Sequence, residues 1–267
     1  MSCEQWERIF KEARELGVAF VLLAGGEPLM RKEVIEKAAL FNEIIFPIFT
    51  NGTMIDEEYI KLFNKNRNLV PVISIEGNKA ETDDRRGDGT YTALENAMSG
   101  LNKKGILYGA SVTVTRENIF SATSEDFVSL LYSKGCKLVF FVEYVPVTAA
   151  SKQLAPTDIE REILEERQSE LKTRFKNMTF LSFPGDEKHM GGCLAAGRGF
   201  FHINASGGAE PCPFSPYSDT NLNEHSLLQA LQSPLFKKLN QDGMLLGEHS
   251  GGCLLFEKED KVKALLG

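Results

Sequence analysis

Two groups of residues have the types and spacing for chemistry. The first is Gly25-Gly26-Glu27-Pro28-Leu29, directly behind the apolar run Val18-Ala19-Phe20-Val21-Leu22-Leu23. Such a run reads as a buried strand. Two glycines at its end let the backbone come close to a ligand. The Glu27 carboxylate can then pair with a ligand ammonium, and Pro28 stiffens the turn. The second group is Cys193, Cys212 and Cys253, each in a turn rich in Gly or Pro: Gly191-Gly192-Cys193, Pro211-Cys212-Pro213 and Ser250-Gly251-Gly252-Cys253. Turns of this kind leave backbone amides free to point at sulfur, which stabilises the charge of a bound cluster. Three thiolates and a histidine would equally make a structural zinc site, and unligated thiols are a third reading. Cys3 and Cys136 lie in helical or pre-strand context and read as small hydrophobes.

The elements that must position these residues alternate. Helices are expected at about 3–16, 31–41, 56–66, 90–104 and 124–134. Strands are expected at 18–24, 43–50, 69–75, 107–115 and 138–146, with one more near 180–185. Strands alternating with helices imply βαβ units and a parallel sheet. In such folds ligands sit at the C-terminal ends of the strands. Those ends carry Gly25-Gly26-Glu27-Pro28, Thr50-Asn51-Gly52, Ser74-Ile75-Glu76-Gly77, Thr113-Val114-Thr115 with Asn118, and Glu143-Tyr144. Thr-Asn-Gly is also an ordinary turn, but five polar strand ends in one chain form a ring, as one shared pocket requires. A lyase or aldolase barrel would need a lysine nucleophile or a His/Asp metal set there, and none stands at these ends.

The chain has 267 residues and a net charge of −7. It shows no basic cluster long enough for a nucleic-acid footprint and no uninterrupted apolar segment long enough to cross a bilayer. The first residues are acidic and helical in character, unlike a signal peptide, so the cytoplasm is the expected compartment. An odd cysteine count without an export signal favours a metal or free thiols over a disulfide framework. After Pro146 come a polar loop at 147–157 and an amphipathic helix at 159–176. From Cys193 onward apolar periodicity is poor, so a metal is expected to organise that part.

Strand-GGEP-Leu resembles the radical S-adenosylmethionine (SAM) enzymes, in which this motif holds the SAM amino group. The likeness continues through Thr50-Asn51-Gly52, Ser74-Ile75-Glu76-Gly77 and Asp83-Asp84-Arg85-Arg86-Gly87-Asp88-Gly89-Thr90-Tyr91. It implies that Gly25, Gly26, Glu27, Pro28, Thr50, Asn51, Ser74 and Glu76 face SAM. It also implies that Arg85 or Arg86 meets the SAM carboxylate, a contact that suits the guanidinium fork. Ser111, Thr113 and Asn118 would face the sugar or the methionyl group. The bland alternative is that Asp84 and Arg86 form a solvated loop pair. Cys193 and Cys212 stand in C-x13-G-x4-C, which resembles the start of the SPASM/twitch extension of some family members. The segment from Phe200 to Cys212 resembles its β-hairpin, and the shorter twitch type fits better.

The resemblance implies a partial (β/α) barrel over 1–185, missing its first strand, and a small cysteine-rich twitch-like subdomain over 186–267. It implies SAM as cofactor and one auxiliary [4Fe-4S] cluster on Cys193, Cys212 and Cys253. Its fourth iron would be open to substrate or to His189, His202, His225 or His249. Family members carry a C-x3-C-x2-C loop upstream of GGEP, whereas here only Cys3 precedes it. The chain is therefore expected to be an N-terminally truncated oxidoreductase without the SAM-cleaving cluster, unable by itself to cleave SAM. Intact, it would abstract hydrogen from a peptide or protein substrate by a 5′-deoxyadenosyl radical. The alternative is a non-catalytic SAM-like or peptide-binding module with a structural metal site. The apolar strand 18–24, left at an edge, is expected to pair with a second subunit as a homodimer or to be covered by the helix around Trp6.

Overall fold

The computed structural model describes residues 1–146, 149–246 and 253–266. They divide into two compact units, Val18–Phe183 and Met1–Gly17 with Pro184–Gly267.

Val18–Phe183 is built on one parallel sheet of five strands in sequential order: β1 Phe46–Thr50, β2 Leu69–Ser74, β3 Gly109–Val114, β4 Leu138–Glu143 and β5 Thr179–Phe183. The chain between strands supplies helices that we number with those of the other unit: α1 Cys3–Glu15, α2 Lys32–Ala38, α3 Glu57–Lys65, α4 Lys79–Arg86, α5 Thr90–Lys103, α6 Ile119–Ala122, α7 Glu125–Ser133 and α8 Asp158–Arg174. Five strands lie within a few residues of their expected positions, because each is an apolar run of strand length closed by turn residues. The segment 18–24 runs parallel to β1 and bonds to it through Val21 N to Ile45 O, Leu23 N to Pro47 O and Phe49 N to Leu23 O. It bridges only at Phe20–Ile45 and Leu23–Ile48, so it is a looser sixth strand.

The two faces of this sheet differ. Register places Ile73, Ala110, Val139 and Phe180 in one row, and all four are buried. The next row on that face holds Val112, Phe141 and Ser182, with the Phe141 and Phe180 rings stacked at 6.3 Å. The other face carries Phe49, Ser74, Ser111, Thr113, Phe140, Val142 and Leu181, most of them only partly covered. Period-2 alternation with one half-open face is what a sheet presenting a cavity wall requires.

The stretch around Asp83–Arg86, expected to be an acidic loop, is the helix α4. Asn78 caps it, accepting from the amides of Ala80 at 2.8 Å and Glu81 at 3.2 Å, while Glu81 bonds back to the Asn78 amide. That capping box starts a helix despite a sequence with almost no apolar residues. Asp84 is exposed and Arg86 turns to Glu76, so the solvated Asp84–Arg86 pair is absent. Part of the expected polar loop is a short 3₁₀ turn, Ala149–Leu154; Val147 and Thr148 lie outside the described residues.

In the other unit, α1 is tied to the later chain. Glu12 accepts from Leu227 N at 2.7 Å, Gln5 donates to Asn223 at 2.7 Å, and Arg8 donates to the carbonyls of Leu222 and His225. The expected hairpin is present as β6 His202–Ile203 against β7 Ala209–Glu210. Its turn passes through Gly207 at φ +90°, a conformation that favours glycine. Four short helices follow where periodicity looked poor: α9 Leu227–Leu231, α10 Pro234–Gln241, α11 Leu254–Glu257 and α12 Glu259–Leu265. The first two start on capping serines, Ser226 and Ser233. Among the described residues no helix is long and apolar enough to cross a membrane.

Candidate functional site

In Val18–Phe183 the expected residues gather at the C-terminal edge of the sheet, where parallel strands all end. Gly25 adopts φ +146° with open space where a Cβ would stand. After it Pro28–Met30 forms a 3₁₀ turn whose cap is Glu27. The Glu27 carboxylate is held by three donors. Its Oε1 accepts from Leu29 N at 3.0 Å and Thr50 Oγ1 at 2.7 Å, and its Oε2 accepts from Asn51 N at 2.7 Å. The GGEP turn and the Thr-Asn-Gly turn are thus locked by one side chain. Oε1 has both lone pairs engaged by these donors, while Oε2 shows one partner and retains acceptor capacity. Half-buried Glu27 is therefore an oriented anion with one acceptor position to offer a cationic ligand.

Glu76, at the end of β2, is 3% exposed. Arg85 donates to its Oε2 at 2.7 Å, and Arg86 donates to its Oε1 through Nε at 2.9 Å and through Nη2. The residues expected to face different parts of one ligand are thus paired with each other. Two guanidinium groups on one carboxylate leave a net positive group at this strand end, and a buried carboxylate needs such partners. Ser74 and Ser111 are register neighbours on the half-open face, and Thr113 lies two residues along it. Asn118 closes its own turn, accepting from Thr115 N at 2.8 Å and donating to Thr113 O at 2.8 Å. The end of β4 holds a further pair. Buried Glu143 accepts from Arg161 Nε at 3.1 Å and Ser182 Oγ at 3.3 Å. Arg161 sits on α8, eighteen residues on, and no sequence spacing announces that partnership.

The second centre lies in the other unit. Cys193, Cys212 and Cys253 are buried, at 4%, 2% and 6% exposure, and none is in a disulfide. Ala196 N bonds to Pro211 O at 3.0 Å, which joins the first two cysteine turns. Cys253 caps α11. Each sulfur receives backbone amides: Ala195 on Cys193, Phe214 on Cys212, and Leu255 and Phe256 on Cys253. The Cys212 thiol and the Cys253 sulfur are hydrogen-bonded to each other. That bond, with burial, pushes Cys212 far up, and the same bond holds Cys253 below the usual thiol range. Burial pushes Cys193 up to about 12, with Glu187 adding to the effect. Beside Cys212, the hydroxyl of Ser215 is buried with no hydrogen-bond partner among the described residues. Amides directed at sulfur, plus an orphaned donor, are what thiolate ligands of a cluster use. Among the described residues no three His, Cys, Asp or Glu side chains converge closely enough for a single metal ion.

The described histidines are His189, His202 and His225. His202 Nδ1 is 2.7 Å from Glu210 Oε2 in the hairpin. His189 and His225 are exposed, and His249, with Ser250, Gly251 and Gly252, lies outside the described residues. The carboxylate beside the thiols is Glu187, whose local sequence, Gly185-Asp186-Glu187-Lys188, gives no sign of burial. Cys136 and Cys3 stand apart: Cys136 is buried and donates to Leu138 O at 3.3 Å, and Cys3 begins α1.

Residues 1–120 match the family model described as the Radical SAM superfamily. The chain's α/β fold with a five-stranded parallel sheet matches SuiB of Streptococcus suis, solved bound to S-adenosylmethionine. The TM-score is 0.79 at 19% identity, over 97% of this chain and 68% of that one. Among curated relatives, the AdoMet-dependent heme synthase of Methanosarcina barkeri is 24% identical over 93% of this chain and 78% of its own length. The PqqA peptide cyclase of Granulibacter bethesdensis is 24% identical over 79% of this chain and 59% of its own length.

Proposed function

We propose that this chain is the SAM-binding and auxiliary-cluster portion of a radical SAM oxidoreductase acting on a peptide or protein. The observation that carries the reading is Glu27. Its carboxylate is fixed by Leu29, Thr50 and Asn51 at the end of the sheet and keeps acceptor capacity on Oε2. That geometry suits the amino group of SAM. Gly25, Gly26 and Pro28 shape the approach, and Ser74, Ser111 and Thr113 offer hydroxyls on the half-open face. Asn51 and Asn118 hold the neighbouring turns. The positive group formed by Arg85 and Arg86 on Glu76 suits the SAM carboxylate.

Residues 1–26 include one cysteine, Cys3, and so hold no ligand set for a SAM-cleaving cluster. With SAM and a SAM-cleaving cluster bound, such an enzyme would supply radical hydrogen abstraction from the substrate. The residues described here orient SAM and shield the reacting groups. Cys193, Cys212 and Cys253 would hold one auxiliary [4Fe-4S] cluster in a twitch-like subdomain over 186–267, and 1–185 would form the partial barrel apart from residues 1–17, which group with the later chain. The amides on each sulfur and the unpaired Ser215 hydroxyl support that assignment. A peptide substrate is favoured by the PqqA peptide cyclase and by SuiB, which is also solved bound to the precursor peptide SuiA. A porphyrin is the second reading, favoured by the heme synthase match over 93% of the chain. Phe20 and Leu22, 58% and 56% exposed, support pairing of two chains through 18–24.

Saturation-transfer NMR with SAM tests the cofactor reading. Binding that is lost in Glu27→Gln is expected; no binding at millimolar SAM overturns it. Anaerobic reconstitution with iron and sulfide should give a cluster signal by electron paramagnetic resonance (EPR). Titration with heme, followed by its absorbance, decides for the porphyrin if saturable. Light scattering that reports a monomer at all concentrations removes the homodimer.

A further inference from the structure

Resting on the SAM-binding reading above, we propose that Tyr59, at the start of α3, is a positioning residue for the cofactor. Its hydroxyl holds the Leu29 carbonyl and, through Leu29, sets the Glu27 carboxylate that receives the SAM amino group. Glu27 is oriented by three donors, one of which is the Leu29 amide at 3.0 Å. Leu29 is engaged on both sides of its backbone: its amide donates to Glu27 Oε1, and its carbonyl accepts from the Tyr59 hydroxyl. Its side chain is buried as well.

Tyr59 is itself fixed. It is 5% exposed, and its ring packs on Phe63 at 5.7 Å. Its amide donates at 3.0 Å to Asp56 Oδ1, the cap that starts α3. The segment 50–59 thus holds the GGEP turn at three points: Thr50 Oγ1 and Asn51 N on Glu27, and Tyr59 on Leu29. Burial pushes the Tyr59 phenol up to about 12, and the carboxylates of Asp56, Glu27, Glu36 and Glu58 act in the same direction. The hydroxyl therefore stays a donor throughout the neutral range. Removing it leaves a buried carbonyl without that partner, which the turn relieves by shifting toward solvent. Such a shift draws the Leu29 amide away from Glu27. Ligand binding must then supply the free energy that restores the carboxylate's position.

The test compares SAM with 5′-methylthioadenosine, which shares the nucleoside but lacks the amino-acid end. Dissociation constants are measured by calorimetry for wild type and Tyr59→Phe. The variant should bind SAM roughly fivefold more weakly, the worth of one hydrogen bond to a buried group, and bind methylthioadenosine as wild type does. By NMR, the Leu29 and Asn51 amides should exchange faster in Tyr59→Phe, while the amides of β2 stay protected. Unchanged SAM affinity, equal weakening of both ligands, or unchanged exchange at Leu29 and Asn51 overturns the proposal and leaves the SAM reading in place. Should Tyr59→Phe fail to fold, wild type carrying carbon-13 tyrosine decides. SAM, but not methylthioadenosine, should then shift the Tyr59 ring signal, and a signal that SAM leaves unmoved overturns the proposal. A wild-type chain that binds no SAM overturns the SAM reading itself, and this inference with it.

Discussion

The unit spanning 18–183 and the unit formed by 1–17 with 184–267 are stabilised in different ways. The first has a continuous apolar core, with Phe46, Phe63, Tyr108, Phe141 and Phe180 fully buried around a five-stranded sheet. The charged groups of its candidate site are gathered at one edge, where Glu27, Glu76 and Glu143 each have defined partners. The second has short helices, a two-residue-per-strand hairpin and three buried thiols, and many of its long-range ties are single hydrogen bonds from α1. A sheet can bury enough surface to be stable without a ligand. A turn-rich unit of this kind gains most from a bound centre, because metal binding and local folding share free energy. The two candidate sites follow the same division: one lies along the edge of a sheet, the other among short elements around three buried thiols.

The largest effect expected from this contrast concerns the thiols. Cys212→Ala or Cys253→Ala should reduce reconstituted iron to near background and loosen amide exchange across 184–267, leaving β1 to β5 protected. Hydrogen exchange by mass spectrometry reads both units in one sample; equal loosening of the strands would break the contrast. Next is Phe141→Ala, which removes a fully buried ring stacked on Phe180. It should cost about 3–5 kcal/mol, as large core truncations do, measured by urea unfolding. It should lower protection of β3 to β5 while leaving iron content near wild type.

Smaller still is Glu27→Gln. Replacing an oriented carboxylate by an amide should weaken SAM binding by about 1.5–3 kcal/mol, roughly tenfold or more, with little change in iron content. A Glu27→Gln chain that loses iron would tie the two sites more closely than their separate architectures suggest.

The smallest effect is alkaline. Burial pushes the Cys136 thiol from about 9 up to about 11. A folded-state value raised above the unfolded one means that the native chain holds the proton more tightly. Its contribution is therefore complete below pH about 9 and declines as pH rises from about 9 to about 11. Cys136→Ala should flatten that part of the stability curve, and iodoacetamide should fail to label Cys136 in the native protein at neutral pH. Rapid labelling would show that β4 and its approach open more easily than the core implies.

Local pattern carried much of the architecture. The strands at 46–50, 69–74, 109–114, 138–143 and 179–183 were readable as apolar runs with turn residues behind them, because period and punctuation are local properties. The GGEP turn was readable for the same reason, whereas the hairpin before Cys212 was implied by the resemblance to the twitch extension. Helix α4 was not, since Lys79–Arg86 has no apolar stripe and depends on its Asn78 cap and on the buried Glu76 that its arginines reach. The short helices α9 to α12 escaped because elements of four to eight residues hold too few apolar positions to establish a period.

The sequence by itself determined the residue types at each strand end, the parallel α/β order and the presence of three cysteines in turns. Only the tertiary structure decided which of those groups face one another. Glu27 meets Thr50 and Asn51, Glu76 takes both arginines, Glu143 takes Arg161, and Glu187 rather than a histidine lies against Cys193. The physical reason is that hydrogen bonds and ion pairs form between groups brought together by packing. Nothing in the local chain around Glu187 records which cysteine a distant turn will place beside it.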